Sequence, residues 1–157
     1  MSDPRAAAAT VVDPEIRVLT IEELGILRDV RTAADGHVTV TITPTYTGCP
    51  AMDVIRADIR AALARAGHPD AEVVTELSPP WSTDLISASG RAKLAAAGVA
   101  PPPATRRAGA VPLTLTVRCP QCGSPDTEEL SRFGSTACKS LRRCRACAEP
   151  FDAIKAF

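Results

Sequence analysis

The sequence predicts an α+β protein: a small three-stranded mixed sheet with helices on one side, in the order αββαβα, followed by a zinc-ribbon β-hairpin domain. Apolar residues recur at helical spacing in one segment and alternate with threonine in another. Five of the six cysteines follow residue 118, and prolines are concentrated between residues 100 and 112. We therefore expect a first domain over residues 11–99, a proline-rich linker over residues 100–112 and a second domain over residues 113–157.

Two helix-start patterns open the first domain. In Asp13-Pro14-Glu15 the aspartate can cap, the proline suits the first helical position, and the glutamate favours the positive end of the helix. Thr20 and Glu23 form a second pattern, a capping box, and Gly25 ends that short turn. We expect the first helix of the domain to begin at Asp13.

A hairpin, a helix, a strand and a last helix should follow. Segments 26–31 and 37–43 flank an Ala-Ala-Asp-Gly turn, and period-two alternation in the second segment predicts a strand with one buried face. A helix from Pro50 to about residue 66 is predicted by an apolar stripe at helical spacing. The stripe consists of Met52, Ile55, Ile59, Leu63 and Ala66. Residues 71–77 are predicted as a third strand and residues 87–97 as a short helix.

Charge and hydropathy narrow the function classes. The 157 residues include 18 basic and 18 acidic ones, so the formal net charge is zero, which argues against wholesale electrostatic wrapping of nucleic acid. No stretch approaches the roughly 18 apolar residues of a membrane span. Without an export signal, a cytoplasmic location is expected. Thiols there are metal ligands or reactive groups more often than disulfides.

Two Cys-x-x-Cys pairs dominate the second domain, Cys119 with Cys122 and Cys144 with Cys147. Two such turns joined by a hairpin, here segments 128–133 and 140–143, make a tetrahedral sulfur site. A unit this small rarely folds without a metal or a disulfide. We predict that the four thiolates bind a structural zinc ion, with an iron centre or disulfides as the alternatives.

The remaining residues of this domain leave two interpretations open. Cys138 is either a small buried hydrophobe or an accessory metal ligand. The stretch 132–145 carries five basic residues and no acidic one. We favour a solvated face over a docking surface for this stretch.

Cys49 is the candidate functional thiol of the first domain. It precedes Pro50, which we expect to begin a helix, so the dipole and free amides of that helix would stabilise a thiolate. Gly48 would let the backbone approach closely, and Thr47 offers a hydroxyl nearby. The alternative is a buried, inert thiol.

Three further residues could complete a site around Cys49. Asp13 and Glu15 are either simple cap and first-turn acids or, if the first helix packs beside the Cys49 loop, carboxylate ligands of a mixed metal site. Trp81, which follows Pro79-Pro80, is either a core anchor or a wall of the same site.

Several motifs resemble known families. Asp13-Pro14-Glu15-Ile16 and the segment 45–51, Thr-Tyr-Thr-Gly-Cys-Pro-Ala, are similar to the SufT-type iron–sulfur assembly domain. The segment 77–84, Leu-Ser-Pro-Pro-Trp-Ser-Thr-Asp, and the cysteine tail with its segment 133–139 narrow the resemblance. Together they resemble the D-subunit family of the ring 1,2-phenylacetyl-CoA epoxidase (PaaD, or PaaJ) from about Val11 onward. Leu85 stands where the family pattern has a second tryptophan.

The resemblance implies an accessory role in phenylacetate catabolism: assembly or delivery of an iron–sulfur cluster, or of iron, to other epoxidase components, especially the iron–sulfur reductase. Cys49 matches the assembly domain's cysteine, and Asp13 and Glu15 match its acidic motif. Because one cysteine cannot hold a cluster alone, a homodimer or a carboxylate ligand would complete the site.

The residues themselves agree with a non-catalytic component. The chain has no Glu-x-x-His pair for a di-iron site and no glycine-rich dinucleotide loop. A purely structural or regulatory subunit is the alternative function. A nucleic-acid-binding ribbon ranks last because the net charge is zero.

Overall fold

The computed structural model describes residues 2–103 and 116–156, which belong to two compact units. The N-terminal unit comprises Met1–Trp81 and Leu85–Gly90, and the C-terminal unit comprises Ser82–Asp84 and Arg91–Phe157. Residues 104–112 of the predicted linker lie outside the described residues. At the predicted start of the linker, Ala100 is already part of a strand.

A three-stranded mixed sheet forms the centre of the N-terminal unit. Strand β1 (Leu27–Thr32) pairs antiparallel with β2 (Val38–Ile42), which pairs in parallel with β3 (Glu72–Thr75). The apolar residues of β2 are buried and its two threonines are half-buried, as the alternation predicts. The predicted fold class is confirmed for this unit.

Helices cover one face of this sheet. Helix α1 (Pro4–Ala9) contacts both β1 and helix α2 (Met52–Arg65), and α2 contacts β3, so both helices lie on the same side. A parallel pair such as β2 and β3 needs a crossover connection, and α2 supplies it. The buried side of α2 carries the predicted stripe through Leu63. None of the helices in the described ranges has the length and apolar character needed to cross a bilayer.

The first helix does not begin where the sequence predicts. Asp13-Pro14-Glu15 forms a bend, and α1 begins instead at Pro4, where Asp3 accepts a hydrogen bond from the Arg5 amide at 3.0 Å. The Asp-Pro cap pattern occurs at both places. Only Asp3-Pro4 is followed by a run of alanines, the strongest helix formers, whereas β-branched Ile16 and Val18 follow Asp13-Pro14. Propensity after the cap therefore decides which pattern starts a helix.

The second predicted cap is confirmed. The Thr20 hydroxyl accepts from the Glu23 amide at 3.2 Å, and the Glu23 carboxylate accepts from the Thr20 amide at 3.1 Å. Gly25 follows this turn with φ +79°. Helix α3 (Ala88–Ala96) also lies where the sequence predicts a helix.

The C-terminal unit contains a four-stranded sheet with the order β4-β7-β6-β5. Strands β5 (Thr127–Ser131) and β6 (Lys139–Cys144) form the predicted hairpin, and β7 (Pro150–Ile154) pairs antiparallel with β6. The two-residue β4 (Val99–Ala100) pairs in parallel with β7. The sequence did not predict β4 or β7. A two-residue strand has no measurable periodicity, and β7 begins with Pro150, a residue that strands accept at their first position.

Candidate functional site

The two Cys-x-x-Cys segments fold into similar turns. The Cys119 amide donates to the Ser124 carbonyl at 3.0 Å, and the Cys144 amide donates to the Glu149 carbonyl at 2.9 Å. Four residues after the first cysteine of each pair, Gly123 (φ +73°) and Ala148 (φ +64°) both have left-handed backbone. Ser124 and Glu149 were missed as site residues, and their equal spacing, five positions after a cysteine, is the pattern that could have identified them.

The hairpin brings the two turns together. All four sulfur atoms lie within 4.8 Å of one another. The Sγ atoms of Cys119 and Cys147 are 3.8 Å apart, and those of Cys122 and Cys144 are 3.6 Å apart. Sulfurs at about 2.3 Å from one ion in a tetrahedron stand about 3.8 Å from each other. The four thiols therefore form a metal site of the size of a single ion.

Each turn has one buried and one exposed cysteine. Cys119 and Cys144 are buried, whereas Cys122 and Cys147 are exposed. The buried pair belongs to the hydrophobic core of this unit, which it shares with Ala100, Phe151 and Ala153. A bound ion would consequently cross-link the two turns at the edge of the core.

Backbone amides favour the thiolate form of Cys144. The Cys147 amide above all, together with that of Ala146, lowers the pKa of Cys144 to about 7 in spite of burial. The Glu149 amide lowers the pKa of Cys147, but partial loss of solvent around the sulfur and the three neighbouring thiols outweigh it and raise that pKa to about 12. Four neighbouring thiols therefore do not ionise together, and a divalent cation would compensate the charge of four thiolates.

Cys138 lies outside this group of sulfur atoms. Its side chain is buried, and its Sγ is 3.0 Å from the Thr136 hydroxyl. The burial agrees with the interpretation of a small buried hydrophobe, and the four-sulfur group forms without it.

The Cys49 loop differs from the prediction at its junction with the helix. Helix α2 begins at Met52 with Ala51 as its N-cap, so Pro50 is not the first helical residue. Cys49 is half-buried. Its backbone carbonyl accepts a hydrogen bond from the Met52 amide at 3.4 Å. The helix dipole acts mainly on the first turn, and Cys49 precedes that turn.

Gly48 serves the conformation of this loop rather than a close backbone approach. Its φ is +84°, and a Cβ atom placed there would meet no heavy atom within 4 Å. Left-handed backbone is the reason for a glycine at this position. Its neighbour Thr47 is exposed.

Asp13 caps the bend that follows it in the chain. Asp13 is 4% exposed. Its Oδ1 accepts hydrogen bonds from the backbone amides of Glu15 at 2.9 Å and Ile16 at 2.6 Å. Trp81 is buried, and its indole N–H donates to the Leu24 carbonyl at 2.8 Å, as a core anchor would. Within residues 2–103 and 116–156, the four ribbon cysteines form the one group of three or more His, Cys, Asp or Glu side chains whose possible ligand atoms lie close together. Cys49, Asp13 and Glu15 are not gathered in this way.

Asp13→Ala is expected to lower the free energy of unfolding by about 2 kcal/mol, because the half-buried amide of Glu15 and the buried amide of Ile16 lose their shared acceptor. Asp13→Asn keeps an acceptor oxygen and should lose less. Urea unfolding followed by Trp81 fluorescence measures both changes. Asp35→Ala is the matched control, since Asp35 accepts from the His37 amide in an exposed turn. Equal losses for Asp13→Ala and Asp35→Ala would contradict a buried cap.

Two families match successive parts of the chain. Residues 5–75 match the family described as iron-sulfur cluster assembly protein, and residues 103–155 match the PaaD zinc beta ribbon domain. A crystal structure of a domain of unknown function, DUF59, from Bacillus anthracis is 30% identical and covers 58% of this chain and 87% of its own, with a TM-score of 0.53. The N-terminal fold is therefore one that occurs in solved structures.

Curated relatives extend the comparison over both units. The protein of Bacillus subtilis (strain 168) named "Fe-S protein maturation auxiliary factor YitW" is 39% identical over 82 residues, 52% of this chain and 79% of its own length. The D component of the "Putative 1,2-phenylacetyl-CoA epoxidase" of Escherichia coli (strain K12) is 43% identical over 150 residues, 96% of this chain and 89% of its own length. With both domain families matched in the same order, the chain belongs to the family of the phenylacetyl-CoA epoxidase D subunits.

Proposed function

We propose that this protein is a non-catalytic accessory factor that assists iron–sulfur cluster assembly for the phenylacetyl-CoA epoxidase system. The observation that carries the proposal is the 43% identity to an epoxidase D component over 96% of the chain. The shorter relatives support the assembly role, because they are named as Fe-S protein maturation auxiliary factors. Their similarity covers only about half of this chain. The ribbon is thus an addition to an assembly domain.

Cys49 is the residue proposed to hold the iron or the cluster as cargo. Its thiol is half-buried, so it is neither sequestered in the core nor fully open to solvent. Cargo that must be passed on requires ligands that can exchange, and a single thiolate on a loop suits this better than a closed set of four. Asp13, Glu15 or Thr47, or Cys49 of a second copy in a homodimer, would supply the other ligands. The iron–sulfur reductase is the proposed recipient.

Zinc is the metal proposed for the four ribbon cysteines. Four thiolates at tetrahedral spacing suit zinc, which has no redox chemistry and accepts that geometry without strain. The ion would act as a cross-link in the C-terminal unit and take no part in the transfer of cargo. Metal analysis of the anaerobically purified chain distinguishes one zinc per chain from a single iron.

Cys49→Ala is expected to leave the fold intact and to reduce the cluster content of the reductase severalfold. The epoxidase components are co-expressed with wild type or variant and purified without oxygen, and iron and acid-labile sulfide are measured per reductase. Cys138→Ala is the matched control: it removes a thiol that no proposed step uses and should leave the cluster content unchanged. Normal cluster content with Cys49→Ala would instead favour a structural or regulatory subunit.

A further inference from the structure

A second feature of the C-terminal unit is a cavity of about 460 Å³ that lies beside the ribbon sheet. Its wall combines apolar groups, among them Val117 and Ile154, with three cationic side chains and one carboxylate, those of Arg132, Arg142, Lys155 and Glu129. Ser140 and Arg142 share a face of β6 with the metal ligand Cys144, because side chains two apart in a strand point the same way. The cavity is therefore built on the strand that also carries a metal ligand.

Arg142 is the most constrained of these cations. Its side chain is only 16% exposed, and its Nη1 is 3.5 Å from the Glu129 carboxylate. Its Nε is buried and has no acceptor among residues 2–103 and 116–156. A buried guanidinium donor without an acceptor is unfavourable, and such groups call for a missing partner. A carboxylate can bind the guanidinium, as Glu129 already does on one side.

The other two cations add charge that the described residues do not neutralise. Arg132 is exposed, and neither it nor Lys155 has an ion pair within the described part of the chain. Lys155 lies 4.4 Å from the centroid of the Phe133 ring, and Phe133 is 70% exposed. By contrast, Arg143 and Arg145 both pair with Glu128. The unpaired positive charge of the hairpin is concentrated at the cavity, next to an exposed aromatic ring.

We propose that this cavity binds a carboxylate presented by an acidic, partly apolar segment of a partner protein. The cationic groups and the buried Nε of Arg142 would hold carboxylate oxygens, and the exposed Phe133 ring beside Lys155 would contact apolar side chains of the same segment. The partner would be the recipient of the cargo, and this identification rests on the proposed function. The binding of a carboxylate in the cavity does not rest on it. Charge complementarity therefore gives the ribbon a docking role in addition to its metal site, in place of the solvated face that the sequence favours for residues 132–145.

Two observations favour a peptide carboxylate over other anions. Residues 116–156 carry seven basic and five acidic residues, and this small excess is far from the charge that nucleic-acid backbones require. Much of the cavity wall is apolar, which suits a peptide better than a free phosphate.

The segment between the two described ranges cannot supply the carboxylate from a side chain. Residues 104–115 contain two arginines and no acidic residue.

The test uses the metal-loaded full chain and the Nε–Hε resonance of Arg142. The probe is the blocked peptide acetyl-Glu-Glu-Leu-Phe-Glu-Glu-amide, titrated at low salt, and inorganic phosphate is titrated separately. We expect a saturable shift with the peptide. For the variants, peptide binding is followed by the backbone amide resonances of β6. Arg132→Glu should weaken peptide binding by about tenfold or more. Arg142→Lys should also weaken it, because lysine keeps the charge but lacks the guanidinium fork.

Arg60→Glu is the matched control, because Arg60 is exposed on α2 in the N-terminal unit and undergoes the same charge change. No saturable shift with the peptide, tighter binding of phosphate, or an equal loss with Arg60→Glu would each overturn the proposal. Cys49→Ala should bind the peptide as wild type does. Normal peptide binding together with normal cluster content in Cys49→Ala would refute the assembly function and leave the docking site standing.

Discussion

Removal of the metal from the full chain is expected to unfold the sheet of the C-terminal unit and to leave the N-terminal unit folded. Among the described residues, the hydrophobic cluster that contains the sulfur site consists of five buried residues, Ala100, Cys119, Cys144, Phe151 and Ala153, with Val117 packed against it. Two of the five are ligands of the proposed ion, so its loss also weakens the core. Structural zinc contributes about 10–16 kcal/mol to the folding of comparable small domains, more than so small a core can replace.

A chelator titration separates the two units because the chain has one tryptophan. Trp81 is buried in the N-terminal unit, and its fluorescence should not change when the metal is removed. The backbone amide resonances of β5, β6 and β7 should meanwhile lose their dispersion. Acidification should act in the same direction, since protons compete with the metal for the thiolates.

Cys144→Ser should reproduce the effect of the chelator without any chelator, because it removes a buried ligand. Cys138→Ser changes a buried cysteine outside the group of four and is the control. Dispersed resonances in β5–β7 after stoichiometric loss of metal would show that the sheet is stable by itself. Loss of Trp81 fluorescence at the same chelator concentration would show that the two units unfold together.

The elements that the sequence predicts well are those with a local physical cause. The convergence of the four ribbon cysteines follows from a fixed spacing within each turn, and β2 follows from strict alternation. The first helix was placed wrongly because Asp13-Pro14 and Asp3-Pro4 carry the same cap pattern. The residues after the cap distinguish the two places, because alanines follow Asp3-Pro4 and β-branched residues follow Asp13-Pro14.

The features that were missed depend on contacts distant in sequence. Strand β4 exists because Val99 and Ala100 pair with Asp152 and Ala153, about fifty residues later, and no local pattern reports that pairing. The conformation of the Cys49 loop likewise depends on where α2 begins, which the proline alone does not determine. The sequence around Asp13 is compatible with a cap and with a ligand, and the hydrogen bonds that Asp13 accepts from the amides of Glu15 and Ile16 depend on the local backbone conformation.

Gly25→Ala is expected to lower the free energy of unfolding of the N-terminal unit by about 3 kcal/mol, since two costs add. The backbone of Gly25 is left-handed, with φ +79°, which disfavours any residue with a side chain. A Cβ atom there would also lie 2.5 Å from the Cβ of Leu85 and 2.8 Å from its carbonyl oxygen. Relief of this overlap requires the backbone itself to move, because neither atom is the end of a flexible side chain.

Gly36→Ala isolates the first of these costs. Gly36 has φ +87°, but a Cβ atom there would meet no heavy atom within 4 Å, so we expect a loss of only about 1 kcal/mol. Urea unfolding can be followed by Trp81 fluorescence, because the Trp81 indole binds the carbonyl of Leu24, the residue before Gly25. Equal losses at the two positions would mean that the segment around Leu85 moves aside without cost. A larger loss at Gly25 would show that this segment, which follows Trp81, is held firmly against the turn that the Thr20–Glu23 capping box begins.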